Sequence, residues 1–214
     1  CVRKLSMSFP RVSTFKSPEQ FQQRLNDLKL NLPFDETLTT GVGAPLEQPL
    51  TSKCGEIGNR WCILPMEGWD GTTEGQPTDL TRRRWQNFGL SGAKLIWGGE
   101  AVAIRPDGRA NPNQLMINPA TVGELESLRI LLEQTHQDRF GRTDDLLIGL
   151  QLTHSGRFAR PNDKKQLEPR TVYRHPLLDS KFGIENDAAL LSDDDIKHLI
   201  DDFVEACRLA QKAG

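Results

Sequence analysis

At residues 146–157 the chain reads Leu-Leu-Ile-Gly-Leu-Gln-Leu-Thr-His-Ser-Gly-Arg, an apolar run that gives way abruptly to polar residues. Such a short apolar run is typical of a strand buried on both faces, as in a parallel sheet. Two further segments have the same form: Asn59–Met66, followed by Glu67-Gly68, and Lys94–Trp97, followed by Gly98-Gly99-Glu100. The carboxyl ends of such strands face the crevice where α/β barrels place their chemistry. The three segments therefore predict a site as well as a fold.

Helical patterns alternate with these strands. Apolar residues recur at helical spacing over about Thr78–Leu90 and Val122–Phe140, and Ser192 is a good N-cap for a third helix. This alternation predicts a parallel sheet with right-handed crossovers. Three parallel strands cannot close on themselves, so we expect the chain to be a piece of a longer protein, truncated at both ends. A self-sufficient, open three-stranded sheet is the alternative.

Two regions are predicted. Residues 1–58 should form an N-terminal arm, with a helix that begins at Pro18, an irregular connection and a small hairpin turning near Gly55. Residues 59–214 hold the three strand–helix units. We expect a long loop without regular structure between the third strand and Leu191.

Composition excludes several classes of function. The 214 residues are 36% hydrophobic and 26% charged, with a net charge of -2, which gives no reason to expect nucleic acid or an anionic membrane as a partner. No apolar run approaches the roughly 20 residues that span a bilayer. The cysteines, at positions 1, 54, 62 and 207, are scattered, as in a reduced cytoplasmic protein.

Clusters of like charge receive structural interpretations. Arg82-Arg83-Arg84 is expected to form a solvated helix face, and the aspartates after Ser192 to cap a helix. His136 and His198 are lone helix residues without a second ligand at metal-binding spacing, so no metal site is predicted.

Four ordered blocks resemble the old yellow enzyme family, NADH:flavin oxidoreductases that bind FMN in a (β/α)8 barrel. They cover about residues 50–214. The blocks are Asn59-Arg60 with Pro65-Met66, Pro77-Thr78-Asp79-Leu80, Gly99 through Pro112-Asn113-Gln114, and Gln151-Leu152-Thr153-His154-Ser155-Gly156-Arg157.

The resemblance implies a fold and an activity. The fold would be α/β, the N-terminal portion (first three βα units) of a (β/α)8 TIM barrel. The cofactor would be FMN, reduced by NAD(P)H, which passes hydride to an activated alkene, an enone-like small molecule. The family's substrate-anchoring and phosphate-binding residues are expected beyond Gly214. We therefore expect this chain alone to be inactive and to hold FMN weakly or not at all. The oligomeric state stays open.

The resemblance also implies site residues. After the first strand, Pro65, Met66 and Glu67 would contact the flavin, and Gly99 would be the small residue near its pyrimidine side. The Gln151 amide would meet the N3 and O2 edge of the ring, which suits an amide because it both donates and accepts. His154 and Arg157 would lie behind the residues that contact the flavin, and for Arg157 we favour holding the long loop through a carboxylate over contact with the flavin.

Glu67 departs from the family, which usually has Thr or Cys there. A carboxylate beside a reduced, anionic flavin would repel it, so Glu67 is protonated, is turned toward a cation, or makes the flavin a poorer oxidant. Equally, Glu67 points to solvent and contributes only its backbone. Two other functions stay open: a flavin-free barrel relative acting as a binding scaffold, and a barrel enzyme with another cofactor.

Overall fold

The computed structural model describes residues 9–214, and the chain divides into two units, Cys1–Ala44 and Pro45–Gly214. In the first unit, helix α1 spans Pro18–Asp27. The Ser17 side chain caps it by accepting a hydrogen bond from the Gln20 N–H, and Pro18 occupies the first helical position. The predicted start of this helix at Pro18 is confirmed. Of the four cysteines considered in the sequence, Cys1 lies outside the described residues.

The second unit begins with the predicted hairpin. Strands β1 (Leu50–Ser52) and β2 (Gly55–Ile57) pair antiparallel. Gly55 at the turn has φ +120°, a conformation that glycine adopts without steric cost.

A parallel three-stranded sheet follows. Its strands lie in the order β3 (Cys62–Ile63), β4 (Leu95–Ala103) and β5 (Leu147–Thr153). The helices are α2 (Asp79–Leu90), α3 (Val122–Phe140), α4 (Pro176–Phe182) and α5 (Asp193–Lys212). The alternation of strand and helix is therefore as predicted. Among residues 9–214 no helix is both long and apolar enough to cross a membrane.

The sheet has one covered face and one open face. Ile63, Ile96 and Ile148 lie in register across the three strands and pack into the core with α2, α3 and α5. On the opposite face, Leu64 is 70% exposed and Trp97 is 59% exposed. In a closed barrel that second face is the interior, so its apolar character is what the fold requires.

Two elements differ from the prediction. The apolar run 59–66 suggested a longer first strand, but β3 has two paired residues because Pro65 has no N–H with which to continue the ladder. Helix α4 was not predicted, since seven residues are too few to display a helical period. Pro176 at its first position and Gly183 in the left-handed conformation after its end define it instead.

The amino end of the sheet carries a buried charge cluster. Lys94 Nζ lies 2.7 Å from Asp145 Oδ1 and 2.9 Å from His136 Nε2. The other ring nitrogen of His136 contacts the Gly89 carbonyl at 3.0 Å, so it must be the one that carries the proton. His136 is thus a neutral, fully buried residue whose two ring nitrogens both have protein partners.

We expect the free energy of unfolding to decrease as pH falls below about 6.5, the pKa of histidine in an unfolded chain. Burial lowers the pKa of His136, helped by the Lys94 charge, and burial likewise lowers the pKa of His154. Both side chains bind a proton more readily when unfolded, so acid favours the unfolded state. Urea titrations on both sides of that pH measure the effect. His136→Gln, which keeps a donor and an acceptor but does not titrate, should reduce the loss of stability in acid and leave the part due to His154. A wild-type protein that is equally stable on both sides of about pH 6.5 would contradict the expectation.

Candidate functional site

The carboxyl-terminal tips of the three strands meet. Gly98 on β4 has φ +87°. A side chain there would put its Cβ 2.6 Å from the Pro65 Cβ and 3.3 Å from the backbone nitrogen of Gln151. Only glycine fits this left-handed, crowded position. A pocket of about 310 Å³ is lined by Pro65, Trp97, Gly98, Gly149, Leu150, Gln151 and Leu152. The structure therefore brings together the predicted residues Pro65 and Gln151.

A bulge in β4 shapes this site. Trp97 pairs with Gly149 and Ala101 pairs with Gln151, so three residues of β4 lie opposite one residue of β5. The Ala101 N–H donates to the Met66 carbonyl at 3.3 Å, which joins the end of β4 to the segment after β3. Ala101 is thus the small residue beside both Met66 and Gln151. The sequence pattern alone did not single it out, because a bulge shifts the register by residues that no periodicity announces.

Gly99 lies in the same bulge but faces the helices. A Cβ on Gly99 would lie 2.7 Å from the Cη2 atom of Trp85, a side chain that is 1% exposed in the core. Its small size is therefore required by the packing of α2 against β4. The predicted contact of Gly99 with a cofactor ring stays a prediction.

The strand tips offer hydrogen-bonding groups that are not used within the part of the chain that the structure describes. There the Gln151 side-chain amide, which is on an exposed residue, and the backbone N–H groups of Met66 and Glu67 make no hydrogen bond. A flavin edge presents two kinds of group, carbonyl acceptors and an N–H donor. An amide together with free N–H donors supplies the complements, so these residues fit a flat heteroaromatic ligand.

Glu67 makes a local contact. Its Oε2 atom accepts a hydrogen bond from the Trp69 indole N–H at 3.1 Å, and Trp69 has a φ of 52° and is 52% exposed. Among the described residues Glu67 forms no ion pair. The alternative that Glu67 is turned toward a cation therefore receives no support from residues 9–214.

A different carboxylate, Glu100, is the buried acid of this region. It is 0% exposed; its Oε1 atom accepts from the Gly68 N–H at 2.8 Å and its Oε2 atom accepts from Arg84 at 2.6 Å. Burial raises the pKa of the Glu100 carboxyl, against the opposing charge of Arg84. Arg84 also binds Asp70 at 2.9 Å. Burial alone would raise the pKa of Asp70, but Arg84 holds it below its usual value.

The prediction that the arginine triplet forms a solvated helix face is thus wrong for Arg84, which is partly buried and paired with Glu100. It is right for Arg83, which is exposed. The helix period places Arg84 toward β4, where Glu100 needs a cation. The available signal was Glu100 itself, an acid embedded in the apolar segment 95–103, since buried carboxylates require a partner.

Buried polar side chains fasten the loops behind the tips. Gln114, which is fully buried, donates to the Ala101 carbonyl at 3.0 Å and to the Thr153 hydroxyl at 3.1 Å. Arg109 is also buried, and its guanidinium donates to main-chain carbonyls of Thr72, Thr73, Pro112 and Gln114. These contacts make the bulge and the loop after β3 one connected structure.

His154, directly after the end of β5, contacts Gly156 and packs against Gly108. Its Nδ1 atom accepts from the Gly156 N–H at 3.1 Å, so the proton of the neutral ring is on Nε2, 3.8 Å from the Asp107 carboxylate. The ring packs so closely against Gly108 that a Cβ there would lie 2.4 Å from its Cδ2 atom. These contacts hold the end of β5 against the loop at Gly108, and a supporting role of His154 at a cofactor site stays a prediction.

Arg157 anchors the long loop between β5 and α5. It binds the Asp179 carboxylate, donates to the Tyr173 carbonyl at 2.9 Å and lies over the Tyr173 ring at 5.7 Å. Arg174 binds the same carboxylate at 2.6 Å. The loop is therefore organised by one carboxylate that holds two arginines.

Arg157→Ala should increase the rate of proteolytic cleavage within residues 158–191 about tenfold, because opening of a segment becomes more frequent when its charged hydrogen bonds are lost. Limited trypsinolysis with mass spectrometry would locate the cuts. Arg83→Ala, on the exposed face of α2, is the matched control and should leave the rate unchanged. Equal cleavage of both variants would contradict the anchoring role.

A family model described as the NADH:flavin oxidoreductase / NADH oxidase family matches residues 45–214. No curated protein sequence matches the chain. Among solved structures, the old yellow enzyme from Pichia sp. AKU4542 has a TM-score of 0.60 at 19% identity, covering 79% of this chain and 44% of that one. The old yellow enzyme homologue from Zymomonas mobilis has a TM-score of 0.55 at 24% identity, with coverages of 79% and 46%.

Morphinone reductase is also similar, with a TM-score of 0.53 at 20% identity and coverages of 79% and 45%. The chain therefore spans less than half the length of each of these structures. At these identities the likeness concerns the fold, and it agrees with an α/β chain that corresponds to part of a TIM barrel.

Proposed function

The chain belongs to the NADH:flavin oxidoreductase / NADH oxidase family, and on that premise we propose that it contributes the FMN-contacting strand tips of an ene-reductase. NAD(P)H would be the reductant, and an activated, enone-like alkene the substrate. The description of the family names NADH, which supports a nicotinamide as the reductant. A morphinone reductase structure in complex with tetrahydroNAD is among the similar folds.

One observation carries the proposal: Gln151 presents a side-chain amide without a partner among residues 9–214, at the point where the tips of β3, β4 and β5 meet. When bound, FMN would supply the hydride chemistry, which no amino-acid side chain can perform. The Gln151 amide would orient the ring through its N3 and O2 edge. Met66 and Glu67 would offer backbone N–H groups, and Ala101, as the small residue, would let the ring approach the sheet closely.

Gln151→Ala should weaken FMN binding about tenfold, the loss expected when one pair of ligand hydrogen bonds is removed. Quenching of flavin fluorescence by increasing protein measures the affinity. We expect weak binding by the wild-type chain, because the contacts proposed here involve the ring alone. Gln166→Ala, an exposed glutamine in the loop after β5, is the matched control and should bind as the wild type does.

One outcome would contradict the proposal. If the wild-type chain binds FMN and Gln151→Ala binds it as well as Gln166→Ala does, the strand tips are not the ring site. If the wild-type chain binds no FMN at millimolar protein, the strand tips alone do not hold the ring, an outcome that both the proposal and the alternative of a flavin-free scaffold allow.

A further inference from the structure

The bulge of β4 aims a carboxylate at the segment that follows β3. A bulge takes side chains out of the regular in-and-out alternation of a strand, often beside functional sites. Here it turns Glu100 into the protein interior, where the carboxylate meets the Gly68 N–H at 2.8 Å. Gly68 is two residues beyond Met66, so this bond holds the segment Met66–Gly68, which we call the β3 tip.

The carboxylate is itself held in place. Arg84 on α2 contacts its second oxygen at 2.6 Å and contacts Asp70 at 2.9 Å, while the Thr81 hydroxyl donates to Asp70 at 2.9 Å. Charge-assisted hydrogen bonds of this kind are short and directional. The β3 tip is therefore joined to the rigid first turns of α2 through Glu100 and Arg84.

The β3 tip is held from its other end by the bond from the Ala101 N–H to the Met66 carbonyl, at 3.3 Å. The residue that makes this bond follows Glu100 directly. One dipeptide of β4 thus fastens both ends of the tip and leaves the N–H groups of Met66 and Glu67 without protein partners in the described part of the chain. Such an arrangement preorganises donors for a ligand.

We propose that Glu100, oriented by Arg84, is a positioning residue of the flavin site, an inference that rests on the proposed function. Its carboxylate fixes the β3 tip before any cofactor binds. The N–H groups of Met66 and Glu67 are then already placed for the ring. Glu100 touches no substrate or cofactor in this role and acts through Gly68.

The test compares Glu100→Ala and Glu100→Gln with the wild-type chain. Glutamine keeps an acceptor for the Gly68 N–H, whereas alanine removes it. The matched control is Glu124→Ala, which breaks the 2.5 Å pair between Arg82 on α2 and Glu124 on α3, an ion pair that includes neither Glu100 nor Arg84. Two quantities are measured: hydrogen exchange of the Gly68 amide without flavin, and FMN affinity by fluorescence quenching. Urea unfolding identifies the variants that are folded.

In Glu100→Ala we expect Gly68 exchange to accelerate at least about tenfold and FMN affinity to fall by a similar factor. Glu100→Gln, which keeps the acceptor but loses the ion pair with Arg84, should lie measurably between Glu100→Ala and the wild type in both quantities, and Glu124→Ala should change neither. A folded Glu100→Ala protein with wild-type Gly68 exchange, or with wild-type FMN affinity, would overturn the inference. Should alanine prevent folding, the glutamine variant decides through the same two readouts, because its lost ion pair must loosen Gly68 measurably if Arg84 orients the carboxylate.

The proposed function fails in a distinguishable way. Unchanged FMN affinity in Gln151→Ala contradicts the proposed function whatever Glu100 does. The Gly68 exchange rates then still decide whether Glu100 holds the β3 tip.

Discussion

Replacing Lys94 with Met is expected to lower the free energy of unfolding by about 3–5 kcal/mol, the cost of leaving a buried charge without its partner. The side chains of Lys94 and Asp145 are only 11% and 8% exposed, and their charged atoms are 2.7 Å apart. Arg142 lies 3.6 Å from the second oxygen of Asp145, but it is half exposed and cannot replace the lost ammonium. His136 would also lose the donor to its Nε2 atom.

Chemical denaturation of the variant and the wild type measures this loss. The double variant Lys94→Met with Asp145→Asn should recover much of it, because the second change removes the uncompensated charge. Arg142→Met alone is the control and should cost far less, since exposed ion pairs contribute little. A Lys94→Met protein as stable as the wild type would show that the cluster is not a determinant of stability.

Trp85→Ala should cost about 3–5 kcal/mol as well, through the cavity left by a fully buried aromatic side chain. Trp85 lies between α2 and the β4 bulge, with its ring edge in the space that a side chain on Gly99 would need. Its removal should therefore also loosen the bulge of β4. Urea unfolding followed by circular dichroism measures the loss.

Trp61→Ala is the matched control, because Trp61 is 50% exposed and should give a much smaller loss. Packing between Trp85 and Gly99 can be tested further with Gly99→Ala, which should destabilise the wild type by about 1–3 kcal/mol through overpacking. In a Trp85→Phe protein, Gly99→Ala should lower the free energy of unfolding by less than it does in the wild type. Additive effects in this pair would contradict the contact.

The buried polar network was the part of the site that sequence reasoning missed. Glu100 and Arg84 are 16 residues apart, and nothing local in the sequence pairs them. The same holds for Ala101, whose position beside Gln151 depends on how many residues the β4 bulge contains. Pairing and register are decided by contacts between distant segments, whereas propensity and periodicity are properties of neighbouring residues.

The sequence by itself determined the alternation of the three parallel strands with α2, α3 and α5, the start of α1 at Pro18, the N-cap of α5, the α/β class and the family. These follow from local chemistry: apolar period, capping side chains, and the ordered motifs of 59–157. Only the tertiary structure decided that Gly98 and Ala101 adjoin Gln151, that Gly99 faces Trp85, and that Glu100 holds Gly68. The physical reason is that a bulge and a buried ion pair gain their stability from long-range packing, which a linear pattern does not encode.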